Sequence, residues 1–245
     1  MISGAIYRRL LALLIPVALL CAVIPQSAAS RPADIYSDKS DAELDSIWDL
    51  AAIKEPTTLN SEIASGPAIV RQSGKRLKVF QAFFNSFDEG QGPIRIHGFV
   101  AMPADSPPES LAAIVFGHGA GGEGEEDVAR ALAAMLSAAV ISFSGPGQGR
   151  STGRPSTAQN WMRTIPIQQS WLYQYAYSAM RAVTYMATLP EVDPERIGMT
   201  GVSAGGIMTW IANGVDDRLA AACPIMATGD WQRSLAEGSW FLDFP

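Results

Sequence analysis

The stretch that most constrains this chain is "RIGMTGVSAGGIMTWI", Arg196 to Ile211. Arg196 to Thr200 is an apolar, strand-like run, and a helical run begins near Ala204. Between them Ser203 stands in Gly201-Val202-Ser203-Ala204-Gly205. A serine between small residues, at a strand-to-helix turn, matches the G-x-S-x-G elbow, whose sharp turn lifts the hydroxyl above a sheet. The dipole at the start of the following helix favours negative charge developing there. Ser203 is therefore the candidate nucleophile.

The rest of the chain supplies a sheet for that turn. Leu77 to Phe87 and Ile94 to Ala101 are strand-like runs joined by "DEGQGP", a hairpin signal. Ile94, Ile96, Gly98 and Val100 alternate onto one face, and Arg95, His97 and Phe99 onto the other. Leu111 to Phe116, Ala139 to Phe143, Arg196 to Thr200 and Leu219 to Met226 are further strands. Helices are expected at Glu126 to Ala138, with Val128, Leu132 and Met135 on one stripe, and at Trp171 to Leu189, ended by Pro190. An opening hairpin followed by strand–helix alternation predicts an α/β fold: a mostly parallel sheet with helices on both faces. Ligands gather at the carboxyl ends of such strands, where Ser203 and the notable glycine loops fall.

The segment before the sheet divides in two. Arg8 and Arg9, the uncharged run Leu10 to Ile24 and the small residues Ser27-Ala28-Ala29 have the layout of a secretory signal over residues 1–29. A membrane anchor fits less well, because the run is short and Pro16 interrupts it. Leu20 argues against a lipoprotein reading of Cys21. The chain is thus expected outside the cytoplasm, in a periplasm or the medium, with no membrane attachment after cleavage. Residues 30–74 are expected to be a lead-in, irregular to about residue 65 apart from one short helix in "DAELDSIWDLAA". Residues 75–245 form the α/β domain. The formal net charge of -6 and the lack of a basic stripe argue against nucleic acid as a partner. Cleavage would leave Cys223 alone, without an intramolecular disulfide partner. Its apolar surroundings suggest a small core residue.

Two more stretches carry chemistry. Gly117-His118-Gly119-Ala120-Gly121-Gly122 follows the third strand. A flexible loop there can turn backbone N–H groups toward an attacked carbonyl, as an oxyanion hole requires. The amides of Ala120 and Ala204 are the candidate donors. A phosphate cradle is disfavoured, because no Lys-Ser/Thr follows the glycines and Glu123, Glu125, Glu126 and Asp127 would repel a phosphate. "SGPGQGRSTG", Ser144 to Gly153, is a tight turn after the fourth strand at the same sheet edge.

Taken together, the HG-x-x-G loop, the P-G-x-G-x-S turn and the G-x-S-x-G elbow resemble the α/β-hydrolase superfamily over about residues 75–245. "VDPERIGMTGVSAGG" is similar to the elbow region of acetyl-xylan esterases, dienelactone-hydrolase-like proteins and prolyl-oligopeptidase-type peptidases. "GVDDRLAAACPIMATG" resembles their sixth-strand region. The resemblance implies Ser203 as nucleophile and the Ala120 and Ala204 amides as oxyanion hole, with no metal and no organic cofactor. Ser144 departs from it, since many members carry Asp before the P-G-x-G turn.

The larger departure concerns the base. The superfamily order is Ser, then an acid, then His. The chain's two histidines, His97 and His118, both precede Ser203. His97 is expected to point outward on the hairpin, surface or partly buried and remote from the strand ends. His118 stands where the resembling families shape the oxyanion loop. Asp230 is the candidate acid, because some members place theirs after the sixth strand. Asp216 and Asp217 suit turn chemistry instead, and Asp243 lies close to the chain end. The expectation is therefore a C-terminally incomplete fragment without its catalytic histidine, with little turnover of its own. Trp161, Trp171, Tyr173, Tyr175 and Tyr177 form either a substrate-facing cap or helix packing. The favoured function is a secreted serine hydrolase of carboxylic esters, small or polysaccharide-borne. A prolyl-oligopeptidase-type peptidase and a non-catalytic binding protein on the same fold are the alternatives.

Overall fold

A computed structural model describes residues 41–157, 159–161 and 166–227. The expected signal segment and Asp230 lie outside the described residues. The strands are β1 (Glu62–Gln72), β2 (Lys75–Asp88), β3 (Pro93–Pro103), β4 (Leu111–Gly117), β5 (Ala139–Phe143), β6 (Val192–Val202) and β7 (Leu219–Ile225). The described helices are α1 (Asp41–Trp48), α2 (Leu50–Lys54), α3 (Glu126–Leu136), α4 (Trp171–Ala187) and α5 (Ala204–Val215). All seven strands join one sheet in the order β1-β2-β3-β5-β4-β6-β7. The hairpin strands pair antiparallel, whereas β5, β4, β6 and β7 run parallel.

The sheet is covered on both faces, as the alternation of β3 requires. On one face Ile94, Ile96 and Val100 join Phe84, Val115, Ile141 and Phe143 under α4 and α5. On the other, Leu77, Val79, Ala101 and Val140 pack on Ala129, Ala133 and Ala134 of α3. Burying that many apolar side chains on two faces is the main stabilising contribution, at roughly 25 cal/mol per Å2 removed from water.

β1 is an addition to the expected architecture, because residues to about 65 were expected to be irregular. It is an edge strand, exposed over most of its length. It therefore shows no apolar–polar alternation, and Gly66-Pro67 sits within it. The expected helix in "DAELDSIWDLAA" is two helices, broken at Asp49. That residue adopts φ 44° and its side chain accepts a hydrogen bond from the Ala52 amide, capping α2.

α4 is buried all round from Trp171 to Met186, and includes one arginine. The guanidinium of Arg181 donates to the carbonyls of Asn85, Ala52, Ile53 and Glu55 and to Thr58 Oγ1, at 2.7–3.2 Å. The carbonyls left open at the end of α2 thus receive a cation, which favours that helix terminus. Arg181 ties the segment before the sheet to the core.

Candidate active site

The parallel strands end in register. Gly117 pairs with Phe143 of β5 on one side and with Gly201 of β6 on the other. The residues after β4, β5 and β6 are therefore neighbours at one edge of the sheet. They are the glycine loop, the Ser144 turn and Ser203.

Ser203 has φ 57° and ψ −114°, a conformation that β6 and α5 force on it. Such backbone costs about 1–3 kcal/mol in a non-glycine residue. It is held from both sides: the Ser203 amide donates to Ile225 O at 2.9 Å, and its carbonyl accepts from the Ile207 amide at 2.9 Å. The turn closes only because its neighbours lack side chains. A Cβ on Gly201 would sit 2.5 Å from Gly205 O and 2.7 Å from Gly117 O. One on Gly205 would strike the Gly117 carbonyl and lie 2.8 Å from His118 O. The start of α5 therefore lies against the end of β4, and Ser203 comes to the glycine loop. A Cβ on Gly119 would lie 3.6 Å from the Ser203 Cβ. Ala204 opens α5, so its amide belongs to the first turn, where N–H groups have no intrahelical acceptor.

The glycine loop is fixed at both ends. Ser144 Oγ accepts from the Gly124 amide and Ser142 Oγ from the Glu125 amide, each at 3.0 Å. The serine that departs from the family's Asp thus still supplies an acceptor to the loop. At the other end stands His118, 2% exposed. Its Nε2 accepts from the Gly145 amide at 2.9 Å, so the ring proton is on Nδ1, which donates to Gly119 O at 2.7 Å. The Gly122 amide also donates to Gly119 O, at 3.0 Å. Gly119 C=O and Ala120 N–H belong to one planar trans peptide. Two donors on that oxygen therefore set the direction of the Ala120 N–H.

Neither histidine is placed to take a proton from Ser203. Both ring nitrogens of His118 are engaged by backbone, and burial pulls its pKa down to about 4. His97 differs from expectation. It is 1% exposed, and its carbonyl accepts from the Ser144 amide, so it lies level with the end of β5. The Phe83 and Phe99 rings cover it, Nε2 bonds to Gln81, and burial, then Arg150, lower its pKa to about 4. Yet β3 lies three strands from β6, about 14 Å at the usual strand spacing.

The acids follow turn and pairing chemistry. Asp216 is buried and receives Arg218 through both carboxylate oxygens, and Asp217 pairs with Lys54 at 2.7 Å. Glu125 has its pKa raised by burial and by the charges of Asp127 and Glu123. Among the described residues no cluster of His, Cys, Asp and Glu could hold a metal ion. Of the aromatic group, Trp171, Tyr173, Tyr175 and Tyr177 are buried in the core. Trp161, half-buried, stacks on Trp171 at 5.0 Å, so packing accounts for this cluster. Cys223 is half-buried at β7. A cleft of about 320 Å3 lined by Lys78, Tyr185 and Glu191 lies apart from Ser203, as does an apolar one of about 230 Å3 between Trp48 and Trp210.

Residues 35–236 match the acetyl xylan esterase (AXE1) family, a match that spans most of the sequence. The chain belongs to the acetyl xylan esterase family. Two solved esterases share its fold. The acetyl xylan esterase from Paenibacillus sp. R4 aligns with a TM-score of 0.63 at 24% identity, over 83% of this chain and 65% of that one. Acetyl xylan esterase 1 from Thermoanaerobacterium sp. JW/SL YS485 gives 0.59 at 16% identity, over 85% and 64%. A Bacillus subtilis (strain 168) protein with a hydrolase name is 35% identical over 54 residues, 22% of this chain and 18% of its own length. The chain thus spans less than two thirds of the length of these relatives. The fold is that of the α/β-hydrolases, as the order of elbow, loop and turn implied.

Arg181 and the Gln81–His97–Arg150 cluster were not singled out from sequence. A lone arginine within the otherwise uncharged α4 was the signal for the first. The second depends on cross-strand pairing that sequence spacing does not display.

Proposed function

We propose that this acetyl xylan esterase family chain is an exported serine esterase component whose nucleophile is Ser203. The observation that carries the reading is the Ser203 turn, strained at φ 57° and closed by glycines against the loop that holds Ala120. Strain of this kind persists where surroundings over-determine it, as functional sites do.

In the proposed mechanism Ser203 Oγ attacks the acyl carbonyl of a carboxylic ester, on a small alcohol or a polysaccharide. Its proton passes to a general base as the Oγ–C bond forms. The Ala120 and Ala204 amides receive the oxyanion. Collapse breaks the C–O bond to the alcohol, which takes the proton from the base. Water then cleaves the acyl-enzyme by the same steps in reverse order. Both of the chain's histidines are engaged elsewhere, so the reading assigns the general base to neither His97 nor His118. Asp230, carried over by resemblance, is the proposed acid. The family match favours esters over peptide bonds.

The test compares the gene product and its Ser203→Ala variant on acetylated xylan, p-nitrophenyl acetate and aminoacyl-arylamides. Serine-dependent ester cleavage supports the reading. Faster arylamide cleavage moves it to a peptidase, and no serine-dependent turnover moves it to a non-catalytic member of the fold.

A further inference from the structure

We infer that Tyr175 is a positioning residue for the oxyanion loop, acting through His118. The inference rests on the reading of Ala120 as an oxyanion donor. Tyr175 lies on α4, fully buried, and its hydroxyl donates to His118 O at 3.0 Å. Its ring stacks on the His118 imidazole, with centroids 5.0 Å apart and planes 30° apart. A Cβ on Gly145 would come within 3.1 Å of the same ring, so Gly145, the donor to His118 Nε2, also rests on it. Tyr175 thus bears on the histidine's backbone, on its ring and on the residue that fixes its tautomer.

The consequence runs through two successive peptide planes. Tyr175 holds the His118–Gly119 peptide by its oxygen, and His118 Nδ1–H and the Gly122 amide hold the Gly119–Ala120 peptide by its oxygen. Between them stands Gly119, a residue with a wide choice of φ and ψ. With both oxygens anchored, Gly119 has no freedom left and the Ala120 N–H keeps one direction. Without the tyrosine hydroxyl the first plane can turn about Gly119, and the imidazole loses the carbonyl anchor beneath it. Packing alone does not call for the hydroxyl. The ring meets Trp171 at 4.7 Å and Phe143 at 5.4 Å, contacts that phenylalanine would keep. Phenylalanine at this position therefore removes the hydroxyl and keeps these ring contacts.

The experiment uses Tyr175→Phe in the gene product, with the Ala120 amide followed by 15N NMR and hydrogen exchange, and kcat and KM measured on p-nitrophenyl acetate. The expected result is a displaced Ala120 resonance, exchange at Ala120 faster by about tenfold, and kcat lower by roughly 10- to 100-fold with KM within about twofold. Losses of that size match ångström-scale misplacement of a catalytic group. Replacing Tyr175 with para-aminophenylalanine, whose amine can donate to the same carbonyl, should restore both readouts. An unmoved Ala120 amide overturns the inference, and so does a moved amide with unchanged kcat. If the parent shows no Ser203-dependent hydrolysis, the esterase reading fails on its own account. The Ala120 amide and its rescue then decide whether Tyr175 sets the loop.

Discussion

Lowering the pH should weaken the fold through His118, whose buried ring has both nitrogens engaged by backbone. Burial holds the His118 pKa at about 4, against the ordinary 6.5 of a histidine, and the bond from Nδ1 to Gly119 O offsets only part of that. The native state keeps the ring neutral because a proton on Nε2 would face the Gly145 N–H that it now accepts. Between pH 6.5 and about 4 the unfolded chain therefore binds a proton that the native chain refuses. Stability from this group is complete above pH 6.5 and is lost as the pH falls toward 4. One pH unit of such a gap is worth about 1.4 kcal/mol, so the whole window is worth about 3 kcal/mol. His97 shifts the same way, and the depressed carboxyl groups of Glu89 and Asp217 also lose stability in acid. The measurement must therefore be differential. Urea unfolding of the parent and of His118→Gln, at pH 7 and pH 4.5, cancels the other groups. The parent should lose about 2–3 kcal/mol more than the variant. Equal losses, or an imidazole that titrates near 6.5 by NMR, would refute the assignment of His118 as a buried neutral staple.

The remaining predictions concern backbone closeness, the buried cation and strain. Gly205→Ala places a methyl group on the Gly117 carbonyl, backbone against backbone, and should cost about 3 kcal/mol or more in urea unfolding or leave the protein insoluble. Arg181→Met removes five hydrogen bonds at once, leaving the carbonyls of Ala52, Ile53 and Glu55 only the Glu55 amide, Thr184 Oγ1 and Thr58 Oγ1 as their respective donors. It should cost about 3 kcal/mol, roughly 6–12 °C in melting temperature, with Ser203 still reactive. Ser203→Gly should abolish hydrolysis yet stabilise the fold by about 1 kcal/mol, because glycine adopts φ 57° more readily. Residues 30–245 alone should hydrolyse p-nitrophenyl acetate little or not at all, and strong Ser203-dependent turnover would return a histidine of this chain to consideration as the base.

Much of this molecule could be read from its sequence where burial imposes a period. β2, β3 and β5 declare themselves because their side chains alternate between two covered faces or are wholly buried. α3 declares itself by its helical period, although it buries Ala129, Ala133 and Ala134 beside Val128 and leaves Leu132 and Met135 of the expected stripe half-buried. The Ser203 turn was legible because only small residues fit where β4, β6 and α5 meet. β1 was not, since an exposed edge strand has no core to pattern it. The placement of His97 was missed for a different reason. Its strand runs antiparallel to β5, so an early residue of β3 arrives at the carboxyl edge, a fact of topology rather than spacing. The engagement of both His118 nitrogens likewise depends on Gly145, which the sheet brings close from a separate loop.

The central claim is that Ser203 is the nucleophile, and covalent capture tests it most directly. The gene product should be treated with a fluorophosphonate, digested, and mapped by mass spectrometry. The account predicts one adduct on Ser203, absent from Ser203→Ala and slowed in Tyr175→Phe. An adduct on another residue, or none under conditions that label a known serine esterase, would contradict it.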